Sequence, residues 1–455
     1  MEFLKDISIP QSLEHFHLLV LISILSSIVF IPYVCFVLGS SFLSLWFYHK
    51  RRLHENAVFL KLAHELIDIV LYNKSLITFL AILPGLSLVL SYAQILRGTS
   101  SLGVSLEGFG FLFLLAGMIL LYIYKYTFRV QEMFGSYQQL LKKQRHRKSQ
   151  ETVTVSHEIN AYTNFRAGKY GVFFLFISII LYAAAISVAS NPATWDNDSV
   201  FSLFLSLDVW LKVIELLLVS MGMTGIGLLF FSFVWESRKE HTEEYATFVR
   251  RLGTRLGVVG LLMLPVFVLF NVAAVSDAAL SGTIYSITST VVILFFLAAH
   301  FIYGYHKSPQ PVALTVGVAL FLLATLLLVA TDTVALGTAT SKNAALLASN
   351  HDKAMEELKI NMGVASVTFT GEDIYTARCF ACHLFDQKKV GPPYFKTIPK
   401  YEGKKAELVA FILNPIKVDP AYPPMPNQGL RPAEADSIAS YIIRKVAASN
   451  PRSMK

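Results

Sequence analysis

The chain has 455 residues, of which 54% are hydrophobic and only 15% charged, with a mean hydropathy of +0.53. A soluble globular chain carries about 25% charged residues, so this composition excludes that class and indicates a polytopic membrane protein. The formal net charge of +8 would suit nucleic acid, but the basic residues lie in short segments between apolar runs, as the positive-inside rule requires, and no nucleic-acid partner is expected.

Met1 to Ser12 carries mixed charge, and no small-residue cleavage site follows the first apolar run, so the chain is expected to begin with a retained helix. Eight segments are long and apolar enough to cross a bilayer, which takes about twenty residues each. They cover residues 16 to 47, 76 to 96, 106 to 126, 170 to 190, 207 to 235, 256 to 276, 284 to 304 and 312 to 332. The first and fifth exceed the minimum and are expected to tilt or to project. Basic connections (His49-Lys50-Arg51-Arg52, Lys142 to Lys148, Arg238-Lys239 and His306-Lys307) share one side. The opposite connections, Asn191 to Asp198 and Ser276-Asp277, are acidic or neutral. With the basic side in the cytoplasm of a bacterial inner membrane, both termini lie outside. Leu53 to Tyr72 places Leu62, Leu66, Ile69 and Val70 at helical spacing, which predicts an amphipathic helix at the lipid interface. Lys142 to Lys148 reads as a solvated face near anionic lipid, with partner docking as the alternative.

Three regions result: a membrane domain over residues 1–335, a tether over 336–365 rich in Ala, Ser, Thr and Asn, and a soluble module over 366–455. The expected fold class is all-α, a polytopic helical bundle carrying a small C-terminal domain.

The module contains Cys379-Phe380-Ala381-Cys382-His383, a C-x-x-C-H, which is the attachment signature of a c-type haem. Two thiols one helical turn apart each add to a vinyl group of one porphyrin, and the next residue presents an imidazole to the iron. A redox dithiol or half a zinc site are the alternatives for a bare C-x-x-C, but the remaining cysteine, Cys35, lies inside an apolar run. One covalent haem c is therefore the expected cofactor, attached on the outer face. Residues 366–455 resemble a class I cytochrome c: Gly371-Glu372-Asp373-Ile374-Tyr375 opens a helix into the motif, and Gly391-Pro392-Pro393 matches the loop whose proline carbonyl takes the proximal histidine's ring proton. The resemblance implies His383 as proximal ligand. It implies Met425, in Tyr422-Pro423-Pro424-Met425-Pro426, as distal ligand, the alternative being a loop methionine that packs on the protein. Ile438, Tyr441 and Ile442 on the final helix are expected to cover the haem edge.

Several spans also resemble subunit I of the cytochrome bd quinol oxidases. The carriers are Gln94-Ile95-Leu96-Arg97-Gly98 at the end of the second span, Leu106-Glu107-Gly108 opening the third, Ser190-Asn191-Pro192 after the fourth, and Met223-Thr224-Gly225 in the fifth. The resemblance implies a quinol site and b-type haem in the membrane domain. There are departures. Leu216 stands where that family places a haem histidine, the fifth span holds no histidine, no long external loop is present, and one span is missing. These argue against oxygen reduction by this chain.

Ionisable groups inside spans cost about 2.5 to 3.5 kcal/mol each on insertion scales and usually face an interior site. Asp208, Lys212 and Glu215 share a helical face, and Glu107 lies at a similar depth. Glu107 and Glu215 are the candidate catalytic proton acceptors, whereas Asp208 and Lys212 also suit headgroups. His15 and His17 diverge on a helix, so at most one binds a haem, and His17 is the candidate. His64 and His300 are read as interfacial, with a meeting at the cytoplasmic side as the alternative. Three functions follow. The first is quinol oxidation at the outer side with electrons leaving through the c haem, its partners being the quinone pool, a cytochrome, lipid and other subunits. The second is a bd-like oxidase fed by cytochrome c. The third is a cofactor-free membrane anchor for the cytochrome within a larger complex.

Overall fold

A computed structural model of the chain describes residues 11–54, 57–144, 147–196, 199, 201, 205–235, 242–361 and 370–449. Helices account for all the regular structure among them, and the chain divides into two compact units, Met1–Asp352 and Lys353–Lys455. Of the loop residues used for orientation, Arg145, His146, Asn197, Asp198, Arg238 and Lys239 lie outside the described residues.

The first unit contains α1 (Leu13–His54), α2 (Ala57–Val70), α3 (Lys74–Ile95, with a π turn at Thr78–Ile82) and α4 (Gly103–Gln144). There follow α5 (Arg147–Ala189), α6 (Leu207–Trp235), α7 (Glu243–Ala274), α8 (Gly282–Lys307) and α9 (Pro311–Asn361), whose last residues from Lys353 belong to the second unit. Eight of these are long and apolar enough to cross a membrane, α2 being the exception. In hydrocarbon every backbone donor and acceptor must be satisfied within the segment, and a helix does this by itself.

Association of such helices rests on close packing, because lipid is as apolar as leucine. Two devices serve it here. Ser23, Ser27, Ser40, Ser41 and Ser44 are buried on α1, where small side chains let neighbouring helices approach. Glycines do the same where α6 crosses α7: a Cβ added at Gly225 would stand 2.5 Å from the Gly257 nitrogen.

α2 differs from its expected setting. Leu62, Ala63, Leu66, Ile67 and Val70 are all fully buried, and Ile69 is partly buried. Ser44 on α1 donates to the Ala63 carbonyl at 2.6 Å, and Tyr33 donates to the Val70 carbonyl at 2.8 Å. The apolar face is thus occupied by protein rather than facing lipid. Lys125 of α4 donates to the Leu71 carbonyl at 2.6 Å and pairs with Asp68 at 3.0 Å, placing a cation where the helix dipole is negative.

The segment expected as a tether is helical as far as Asn361, continuous with the last span. Alanine is the best helix former, and Ala335, Ala339 and Ala344 are buried. Asn343 donates to the Arg97 carbonyl at 3.1 Å, which ties this part of α9 to the end of α3.

The second unit has α10 (Gly371–Ile374, continued by a π turn at Tyr375–Cys379), α11 (Tyr394–Thr397), α12 (Lys405–Leu413) and α13 (Pro432–Ser449). Its core joins Ile374, Leu408, Ile412, Ile438, Ala439 and Ile442. A capping box starts α10: Asp373 N–H donates to the Thr370 hydroxyl at 3.3 Å, and Thr370 N–H donates to the Asp373 carboxylate at 2.8 Å. α13 opens with Pro432 and has Glu434 in its first turn, as its sequence indicates.

Candidate functional site

In the second unit the helix that opens at Gly371 delivers Cys379 and Cys382 one turn apart. The turn is fixed from both sides. His383 N–H donates to the Cys379 carbonyl at 2.9 Å, and Gly391 N–H donates to the Cys382 carbonyl at 2.8 Å. The Tyr375 hydroxyl holds the His383 carbonyl at 3.1 Å.

His383 Nδ1 stands 3.1 Å from the Pro392 carbonyl oxygen. A carbonyl only accepts, so Nδ1 carries the proton and Nε2 keeps its lone pair. Burial pushes the imidazole below its ordinary value, outweighing the opposite pull of that carbonyl. The ring is thus neutral, the form a metal ligand needs. Tyr394 stacks on it at 4.9 Å with planes 10° apart. A Cβ at Gly391 would stand 2.3 Å from His383 Cε1, so only glycine leaves the ring where it is. Burial also pushes the Cys379 thiol up.

Two cavities share His383, Pro392, Pro423 and Met425 as walls. One carries both cysteines; the other, about 250 Å³, is lined by apolar side chains including Leu408, Phe411, Ile412 and Ile442. Met425 is held between Pro424 and Pro426, and Asn427 anchors this loop to the Leu413 carbonyl at 3.0 Å. Two thiols, a neutral imidazole and a thioether around one apolar slot fit a covalently attached haem. Of the three residues expected over the haem edge, Ile442 lines the larger cavity. Tyr441 is turned to an aromatic group with Tyr375 at 5.9 Å and Phe385 at 6.2 Å. Tyr394 was not singled out in the sequence; its only signal there is its position directly after Gly391-Pro392-Pro393.

In the first unit Lys212 is buried between two carboxylates, Glu215 and Asp332, each 2.7 Å from its Nζ. Asn271 of α7 donates to the other oxygen of Glu215 at 2.6 Å. Asp208 accepts from Ser187 and Ser206. Glu107 is buried, its Oε2 has no hydrogen-bond partner, and Tyr92 and Tyr182 lie within electrostatic reach of both it and Asp332. Asp208, Lys212 and Glu215 therefore share a face as their spacing predicts, and Lys212 serves as an interior ion pair rather than at a headgroup. Asp332 and Asn271 were missed by sequence reasoning. The signal for Asp332 was an acid at the end of the eighth apolar run.

The histidines are placed otherwise. His15 and His17 are both exposed on α1. His300 is exposed, whereas the half-buried His64 has its ring 4.0 Å from that of Phe128. Among the described residues no group of three or more His, Cys, Asp or Glu is arranged to hold a metal ion.

Comparison with known proteins bears on the second unit. The family described as Cytochrome C oxidase, cbb3-type, subunit III matches residues 368–442. Cytochrome c-552 of Hydrogenobacter thermophilus is 36% identical over 87 residues, which are 18% of this chain and 88% of that protein. Cytochrome c-551 of Pseudomonas denitrificans is 38% identical over 79 residues, 16% of this chain and 95% of that protein. No solved structure gives a significant match. The donor set, the apolar slot and these likenesses together imply a covalently bound haem c and haem-based electron transfer. Through its C-terminal unit, the chain belongs to the cytochrome c family.

Proposed function

We propose that this is a multi-pass protein of a bacterial inner membrane that takes electrons from quinol at the outer side and passes them, through its periplasmic cytochrome c domain, to a cytochrome or other redox partner. The observation that carries the reading is the apolar slot with Cys379, Cys382, His383 and Met425 in its walls. Cys379 and Cys382 would form the thioether bonds, His383 would be the proximal ligand and Met425 the distal one. A haem held so takes up and releases one electron at a time, at a potential raised by the thioether. Replacing Met425 with alanine is expected to lower that potential within the roughly 0.8 V span that axial ligands cover. It should also erase the weak sulfur-to-iron absorption. An unchanged potential in a redox titration would remove Met425 from the ligand set.

The quinol step draws on the membrane unit, whose spans resemble cytochrome bd subunit I. Quinol gives up two protons with its two electrons, and Glu107 and Glu215 are the buried carboxylates proposed to accept the protons. Two electrons and a one-electron carrier call for either a second acceptor or a stabilised half-oxidised quinol, and a second acceptor would be a b-type haem or a centre on a partner subunit.

The test uses the full chain in nanodiscs with a short-chain quinol and excess ferricytochrome c. Reduction of the acceptor is expected, slowed about a hundredfold or more by Glu107→Gln, the scale of a lost general base. Reduction of the c haem by dithionite should be unaffected. Failure of quinol to reduce the wild-type chain, alone or with its co-purifying subunits, would sink the quinol reading while leaving the cytochrome in place.

A further inference from the structure

The strongest feature outside the haem slot is the buried trio of Lys212, Glu215 and Asp332 together with the space beside it. A small cavity of about 50 Å³ is lined by Asp208, Lys212, Asn271 and Asp332. Ser190 also lines it, and the Ser190 hydroxyl is buried with no hydrogen-bond partner. One water needs about 10–15 Å³ measured in this way and two to four polar partners, so the cavity is large and polar enough for water. A second cavity of about 320 Å³ adjoins it, sharing Ser187, Asn191, Asp208 and Ala274, and reaches the Pro192–Thr194 turn between α5 and α6 through Thr194. Asp208 thus stands where a vestibule meets the inner cavity.

Charge counting says what such an arrangement can hold. Asp208 on the same cavity is held separately by hydrogen bonds from Ser187 and Ser206; with the other three groups ionised, one lysine and two carboxylates carry a net negative charge in a membrane interior, where uncompensated charge is costly. One added proton makes the trio neutral: an ammonium, a carboxylate and a carboxylic acid. We infer that Lys212, Glu215 and Asp332 form a proton-exchange site holding one dissociable proton, in contact with one face of the membrane through water beside Ser190 and Asp208. In the exchange an O–H bond of the carboxylic acid breaks, an O–H bond forms on a water in the small cavity, and no electron moves. Asn271 is a positioning residue that holds Glu215 against Lys212. The site does not depend on quinol being the electron donor, and its test uses no quinol.

The experiment is infrared difference spectroscopy on the full chain in nanodiscs, reading the carboxylic acid stretch of wild type minus variant so that Glu107 and other acids cancel. Glu215→Gln and Asp332→Asn should each remove the same single band, because the surviving carboxylate then pairs with Lys212. Lys212→Met should instead double its area, since neither acid retains a counter-ion. On transfer to D2O the wild-type band should shift rapidly. A bulky maleimide on Thr194→Cys, at the vestibule, should slow that exchange at least tenfold without altering any ionisable group. The inference is overturned if the amide variants leave the spectrum unchanged, or if the blocked vestibule leaves the exchange rate unchanged. Thr194→Cys touches none of the buried groups, so the exchange measurement stands even where a trio variant fails to fold.

Discussion

Replacing Cys379 and Cys382 together with serine should strip the C-terminal unit of its haem and leave it without a stable core. Either single change still permits one thioether bond; the double change permits none. The slot beside His383 and Met425 includes about 250 Å³ lined mainly by apolar side chains. Without the macrocycle that slot fills with water and its apolar lining loses the mass it packs against, which a unit of this size can hardly replace. Whole domains are stable by about 5–15 kcal/mol, and small ones lie at the low end. The expected result is loss of haem staining on a denaturing gel, with protease sensitivity of the C-terminal unit while the membrane helices persist. A doubly substituted chain that kept a protease-resistant C-terminal unit would show that its core closes without the macrocycle.

Lys212→Met is expected to cost about 3–5 kcal/mol, the range for removing one partner of a buried ion pair. The loss comes less from the missing attraction than from what remains: Glu215 and Asp332, both of which faced Lys212 at 2.7 Å, are left with no cation between them, and near neutral pH both must be held as uncharged acids at the cost of protonating them. Adding Glu215→Gln and Asp332→Asn to the same chain removes the stranded acids, and most of the stability should return. The measurement is the midpoint of thermal unfolding in detergent, followed by the membrane helices' circular dichroism. If the single and triple variants melted together, the trio would contribute nothing through charge.

Much of this arrangement is legible in the chain, for reasons that differ by region. The spans are written in composition because a bilayer demands about twenty apolar residues whatever lies beside them. The haem slot is written in local spacing, since attachment needs two thiols and an imidazole within five residues, and Gly391-Pro392-Pro393 follows closely enough to close on them. Met425 is separated from this cluster in sequence, and the resemblance to a class I cytochrome c, not spacing, singled it out.

Other readings needed information that no local pattern holds. The apolar face of α2 reads equally well as a surface for lipid or for protein, because the periodicity of Leu62, Leu66, Ile69 and Val70 does not record what covers it. Its full burial and its ties to Ser44 and Tyr33 of α1 decide for protein. The Ala-rich stretch after the last span lacks the long apolar run of a membrane segment and so looks like a linker, yet alanine propensity and packing of Ala335, Ala339 and Ala344 make it helix.

The sequence by itself determined that the chain crosses a membrane and carries the Cys379, Cys382 and His383 attachment motif, because segment length and motif spacing are short-range properties. Tertiary structure alone brought Asp332 of α9 to Lys212 of α6 and Asn271 of α7 to Glu215. Pairings between distant helices depend on which faces meet, and that is set by small side chains such as Gly225 and the buried serines of α1 rather than by the charged residues themselves.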